Sequence, residues 1–225
     1  SVKAYEIMPS YSDRRSKRTI KAVSIDEIVD NILMLDKNSE EKFVMAYSDN
    51  PDGLLHKYGT DSDEAANFIK ETENKIEAMC QKLSDDTIVI ISADHGHKNI
   101  ENPHTILDYE DLQECFLMPP ALEARCLTFW IKPDMKKEFE KRFNEKFDKE
   151  FWLMTKEEFL NKNFLGFGVK HKKIDEFLGD YMALSISNSM INLETYLAPG
   201  KPLKKSTHCG LTKEEMEVPV IVAKR

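Results

Sequence analysis

Five residues on three separated stretches have the types and spacing to hold divalent cations. Asp94 and His95 are adjacent in Ser92-Ala93-Asp94-His95-Gly96-His97, directly after the aliphatic run Ile88-Val89-Ile90-Ile91. A hard carboxylate beside a borderline imidazole suits Zn or Mn. Asp52 and His56 stand four apart in the stretch Pro51 to Gly59, and one helical turn brings side chains at that spacing to the same side. His208 sits in a His-Cys-Gly loop. Five such ligands exceed one tetrahedral site and fall short of two. Two metals about 3.5–4 Å apart are the arrangement that stabilises the attacking and leaving oxygens in phosphoryl transfer. His97, two residues beyond His95, is placed to face a substrate or to orient a ligand. Taken singly, each stretch also has a plain reading: a turn Asp with a surface His, a helix cap, a featureless loop. His104 and His171 read as surface or loop residues. Cys209 reads as a small buried residue rather than a thiolate ligand.

The elements that must position these groups follow from periodicity. Ile88–Ile91 reads as a fully buried strand, and in open α/β sheets ligands bind at the carboxyl ends of such strands. Phe43-Val44-Met45-Ala46-Tyr47 reads as a second buried strand, running into Ser48-Asp49-Asn50-Pro51-Asp52. Ser24-Ile25-Asp26-Glu27 is a capping-box pattern opening a helix over 25–36. A second helix, capped near Asp61-Ser62, carries the apolar stripe Ala65, Phe68, Ile69, Thr72, Ile76, Met79 and Leu83. Residues 20 to 96 thus alternate helix, strand, helix, strand, as in a parallel sheet covered on both faces. Val2 to Met8 alternates loosely enough for a short strand, and Asp13 to Arg18 reads as a solvated loop.

Beyond His97 the composition changes. Asn99 to Asp111 reads as a polar loop and Met118-Pro119-Pro120 as a break. Ala124 to Ile131 reads as a strand. Met135, Phe139, Phe143 and Phe147 mark the core face of a charged helix. Phe151 to Met154 is a short strand, and Thr155 caps a helix to about Lys162. This predicts a metal-binding α/β core over 1–114 and 166–225, with an α+β insertion subdomain at 115–165. Gly166-Phe167-Gly168 reads as a turn, Asp180 to Ser187 as a strand, and the apolar stretch after Pro219 as a closing strand.

The 225 residues carry a formal net charge of -8 with a pI near 5.4, which shows no nucleic-acid or anionic-membrane footprint. No apolar run reaches the length of a transmembrane helix. Four cysteines without a CxxC pair read as reduced thiols, and the expected location is cytoplasmic, although Ser1 is not an initiator.

Pro51-Asp52-x-x-x-His56-x-x-Gly59, then Ser92-Ala93-Asp94-His95-Gly96, then His208-x-Gly210 with Glu215-Met216-x-Val218-Pro219 resemble the ordered metal motifs of the alkaline phosphatase superfamily. The branch resembled is the type I phosphodiesterase/nucleotide pyrophosphatase family. The resemblance implies an alkaline-phosphatase-like α/β fold: a mostly parallel sheet flanked by helices, with a small α+β insertion. It implies a metal-dependent hydrolase of small-molecule phosphate esters with two divalent cations, Zn before Mn. Asp52, His56 and His208 would hold one cation, and Asp94 and His95 would belong to the second. The family completes its second site with an Asp ending the first strand and a Thr or Ser nucleophile after it. Residues 1 to 40 offer neither, so the chain is expected to be a portion lacking the nucleophile and weakly active or inactive alone. Two alternatives carry some of the same features: a phosphoglycerate mutase or phosphopentomutase type of phosphomutase, which shares Ala-Asp-His-Gly, and a non-catalytic metal-binding domain.

Overall fold

The computed structural model describes residues 2–13, 16–193 and 202–224. It resolves into two compact units, Ser1–Ala93 with Pro219–Arg225, and Asp94–Val218.

In the first unit, strands β1 (Lys3–Pro9), β2 (Thr19–Ala22) and β3 (Lys42–Ala46) form a parallel sheet in the order β2-β1-β3. The loose alternation at Val2 to Met8 is therefore the central strand of a sheet, with Ile7 fully buried. Helix α1 (Ile25–Asp36) begins where the capping box places it, Ser24 Oγ accepting from Glu27 N. Helix α2 (Asp52–Tyr58) is short, and α3 (Asp63–Cys80) is capped by Ser62, whose side chain accepts from Ala65 N. Asp36 at the end of α1 accepts from the Ser84 backbone and from the hydroxyls of Ser84 and Thr87. That cluster fixes the entry to β4 (Ile88–Ser92).

The expectation of fully buried strands fails in this unit. Along β4, Val89 and Ile91 are half-buried, whereas Ile88 and Ile90 are 58% and 68% exposed. Phe43 and Met45 of β3 are exposed as well. Side chains alternate between the faces of a strand, and α1 and α3 pack together in this unit. Continuous aliphatic runs here mark strands that are covered on one face only within the described residues. β4 also departs from a parallel arrangement. Its partner in the closing segment is antiparallel, Ile90 opposite Val222.

In the second unit, short strands β5 (Lys98–Asn99) and β6 (Asn102–Thr105) and helix α4 (Glu110–Gln113) occupy the stretch expected to be a polar loop. An antiparallel sheet follows in the order β7-β8-β10-β9, with β7 Phe116–Glu123, β8 Cys126–Ile131, β9 Phe151–Thr155 and β10 Tyr181–Ser185. Pro119 and Pro120 lie inside β7 instead of breaking the chain. β7 is an edge strand with register shifts on either side of Met118, and an edge tolerates a residue that cannot donate to the ladder. Helix α5 (Lys136–Phe147) buries Phe139, Phe143 and Phe147 against this sheet, where Phe129, Phe151 and Tyr181 complete the aromatic core. Thr155 and Glu158 form the predicted capping box of α6 (Lys156–Asn161). Helix α7 (Ile174–Phe177) precedes β10. The remaining elements are β11 (Ser189–Asn192), parallel to β6; β12 (Ser206–Thr207), antiparallel to β5; α8 (Lys213–Met216); and β13 (Val220–Lys224), the antiparallel partner of β4 in the first unit. The predicted insertion, 115–165, falls within this second unit. Among the described residues no helix is long and apolar enough to cross a membrane.

Candidate metal centre

The first unit presents Asp52 and His56 on α2, one turn apart, with His56 Nε2 3.3 Å from Asp52 Oδ1. The pairing follows from the i,i+4 spacing. Helix α2 ends at Gly59, whose φ of 93° favours glycine.

The second unit assembles its histidines by strand pairing. β5 and β12 pair with Thr207 opposite Lys98. One more rung along the same antiparallel register sets His208 opposite His97, and His95 lies two residues further back. The rings converge accordingly. His95 stacks on His208 with centroids 3.8 Å apart and planes at 19°. His97 stands 5.2 Å from His208 and 5.5 Å from His95. His97 is buried, and its Nδ1 is 3.1 Å from Ser206 Oγ. Asp94 is exposed; its Oδ1 accepts from the His95 main-chain N–H and lies 3.6 Å from His95 Nε2.

Both histidine loops are tied to one buried residue, the first through its main chain and the second through its carboxylate. Glu215 on α8 accepts from Gly210 N at 2.8 Å and from Thr212 Oγ1 at 2.7 Å, while its main-chain oxygen accepts from Gly96 N at 2.9 Å. The side chain pairs with Arg125, whose Nε and Nη2 each donate to it at 2.6 Å. Arg125 is 0% exposed, and its remaining donors reach the carbonyls of Ser189 and Ser187. Burial pushes the Glu215 carboxyl up, but the Arg125 and Thr212 hydrogen bonds, the Arg125 charge and the Gly210 N–H outweigh it and hold the pKa below its ordinary value. The loops approach so closely that a Cβ on Gly96 would strike the Glu214 carbonyl, and one on Gly210 would strike the Arg125 guanidinium. Glycine is needed there for space.

Two minor expectations change. Cys209 is exposed, with a φ of 79°, rather than buried; the tight His208 to Gly210 turn carries it outward. Desolvation of its sulfur still raises the thiol to about 11, so no thiolate forms at neutral pH. His104 is partly buried on β6, between Glu150 at 2.7 Å and the Tyr109 hydroxyl at 2.8 Å, with its ring against Phe147. It is a packed structural histidine. His171 is exposed, as expected.

Sequence reasoning overlooked Arg125 and Ser206. Arg125 opens a predicted strand with no local sign of burial. Thr212-x-x-Glu215 does carry a capping-box signature, which marks Glu215 as a structured residue.

Residues 1–166 match the type I phosphodiesterase / nucleotide pyrophosphatase family, and the chain belongs to it. That family is one of metal-dependent hydrolytic enzymes. Among solved structures, murine ectonucleotide pyrophosphatase / phosphodiesterase 5 aligns over 99% of the chain at 14% identity with a TM-score of 0.71. An inactive form of the same murine protein, in complex with AMP, aligns with a TM-score of 0.70. Phosphonoacetate hydrolase from Sinorhizobium meliloti 1021, in complex with phosphonoformate, covers 88% of the chain and 49% of its own length at 16% identity, TM-score 0.58. These likenesses show that the chain shares the mixed α/β fold of those structures. The chain spans 60% of the length of the murine protein. No sequence among the curated proteins matches it.

Proposed function

We propose that this chain carries the cation-binding part of a phosphoric ester hydrolase acting on small phosphodiesters or nucleotide-like esters. Asp52, His56 and His208 are assigned to one divalent cation, and Asp94 and His95 to a second. The observation that carries the reading is the convergence of His95, His97 and His208 in a chain of this family. An imidazole-rich donor set with carboxylates fits Zn better than Mg, with Mn as second choice.

A divalent cation bound there supplies Lewis-acid polarisation of a phosphoryl oxygen. The protein's own part is to hold neutral imidazoles and carboxylates at loop tips before substrate arrives. Glu215 keeps the two histidine loops in register, so the ligands need little reorganisation on binding. AMP and phosphonoformate in the neighbouring structures support a small phosphate or phosphonate ester as substrate.

We assign the attacking hydroxyl to polypeptide outside these 225 residues. In support, β1 ends in Ile7-Met8-Pro9 rather than in Asp. The chain alone is therefore expected to bind cation but turn over slowly. The test is to strip the purified chain of metal, reload it with Zn or Mn, and assay bis-p-nitrophenyl phosphate against p-nitrophenyl phosphate. Cation binding with weak, metal-dependent cleavage agrees with the proposal. Hydrolysis that survives chelation, or vigorous turnover by this chain, contradicts it.

A further inference from the structure

We propose that the first unit holds an open strand position between β3 and β4, filled by an aliphatic strand from polypeptide outside these 225 residues. The identity of the occupant rests on the proposed function, which assigns part of the hydrolase to such polypeptide. The position itself rests on strand order, edge chemistry and burial within the first unit.

The crossovers define where the position lies. From β2 the chain passes through α1 to β3, and in the order β2-β1-β3 that connection steps over one strand. From β3 it passes through α2 and α3 to β4. Yet among the described residues β3 pairs with β1 alone and β4 with β13 alone. Helices α1 and α3 pack together. Crossovers of one hand that advance in one direction set their helices on one face, so β4 lies beyond β3 as β3 lies beyond β2. The edges agree. Outer strands β2 and β13 carry Lys21 and Lys224, the kind of charge that blunts a free edge. Phe43 to Ala46 and Ile88 to Ile91 carry no charge, no proline and no bulge. Such edges are templates for a further strand. Burial alternates along both: Val44, Val89 and Ile91 are half-buried, while Phe43, Met45, Ile88 and Ile90 are exposed. Parallel strands occur with both faces covered, so the occupant brings a helix for that second face as well as a strand. The murine protein of like fold has length enough for both, since this chain spans 60% of it. A strand parallel to β3 in this position ends on the edge from which the chain runs on to Asp52.

The test reads backbone amide exchange by mass spectrometry in the full, metal-free chain. The probe is a strand peptide, Lys-Val-Ile-Val-Val-Ile-Lys, fused ahead of Ser1 through a Gly-Ser linker of about 20 residues, which reaches about 25 Å. Tethering holds the peptide at about millimolar effective concentration. In the unfused chain, amides of 43–46 and 88–92 that point away from β1 and β13 should exchange rapidly. The fusion should slow exchange in both segments at least about tenfold. A second fusion with proline in place of the central valine should not. Circular dichroism confirms that each fused chain is folded. Protection of both segments by the first peptide but not the second supports the position. Slow exchange of both segments in the unfused monomer overturns it, because β3 and β4 would then pair with each other. Protection of one segment only, or of neither, also overturns it. Protection in the unfused chain that grows with its concentration, alongside a dimer in sedimentation, gives the position to a second copy and overturns the proposed occupant. Cation binding and ester hydrolysis are read separately. Their failure in a chain whose two segments the peptide protects removes the hydrolase reading and leaves the strand position standing.

Discussion

The two sets of ligands are held in opposite ways. Asp52 and His56 sit one turn apart on a seven-residue helix with no fully buried residue, and their pairing is local. His95, His97 and His208 come from loops more than a hundred residues apart, brought together by two-residue strands and fixed by a buried ion pair. The first arrangement is inexpensive to build and loosely held. The second depends on the packing of its whole unit, so damage far from the histidines should reach them.

The sharpest way to break this contrast is to remove one partner of the buried pair. Glu215→Ala strands a fully buried Arg125 and is expected to cost about 3–5 kcal/mol, read as a loss in chemical denaturation. Replacing both partners by apolar residues of similar volume should recover most of that. Equal losses in the single and double variants would show that the pair does not act as a unit.

Next is Gly96→Ala. A methyl meets main-chain atoms of Glu214 rather than a flexible side chain, so a loss of about 1–3 kcal/mol is expected, together with weakened Zn binding. A neutral outcome would show that the loops can separate without harm.

Acid sharpens the comparison further. Glu215 has a folded-state pKa below its ordinary 4.5, so the folded form binds fewer protons than the unfolded form near that pH. Its stabilisation is complete above about 4.5 and is lost as pH falls through the folded value. Unfolding midpoints should decline below about pH 4.5, with a smaller slope in Glu215→Gln. Identical slopes would remove Glu215 from the account.

The smallest effect belongs to α2. Asp52→Asn touches a partly exposed pair and should change stability by about 0–1 kcal/mol, although cation affinity in the proposed centre falls. A loss as large as that of Glu215→Ala would erase the distinction between the two sets.

Legibility in the sequence follows the same division. The caps at Ser24, Ser62 and Thr155, the Asp52–His56 spacing and the phenylalanine face of α5 are local patterns, and all stand in the structure. Partners across long separations were not legible. The meeting of His97 with His208 depends on β5 and β12, each too short for any periodicity. Arg125 reveals itself only through Glu215, ninety residues away. The aliphatic run of β4 misled because four apolar residues look alike whether one or both faces of the strand are covered, and here Ile88 and Ile90 are exposed.

The β5–β12 ladder makes a narrow neck. Between Asn99 and Ser206 the chain makes its excursion through the second unit's four-stranded sheet and helices α4 to α7, then returns to within one rung of where it left. Such a neck lets the excursion be lengthened, trimmed or exchanged for another body while the histidines keep their places. Arg125 limits that freedom. It belongs to the excursion yet grips Glu215 outside it, so any graft that omits its guanidinium leaves Glu215 without its counter-charge.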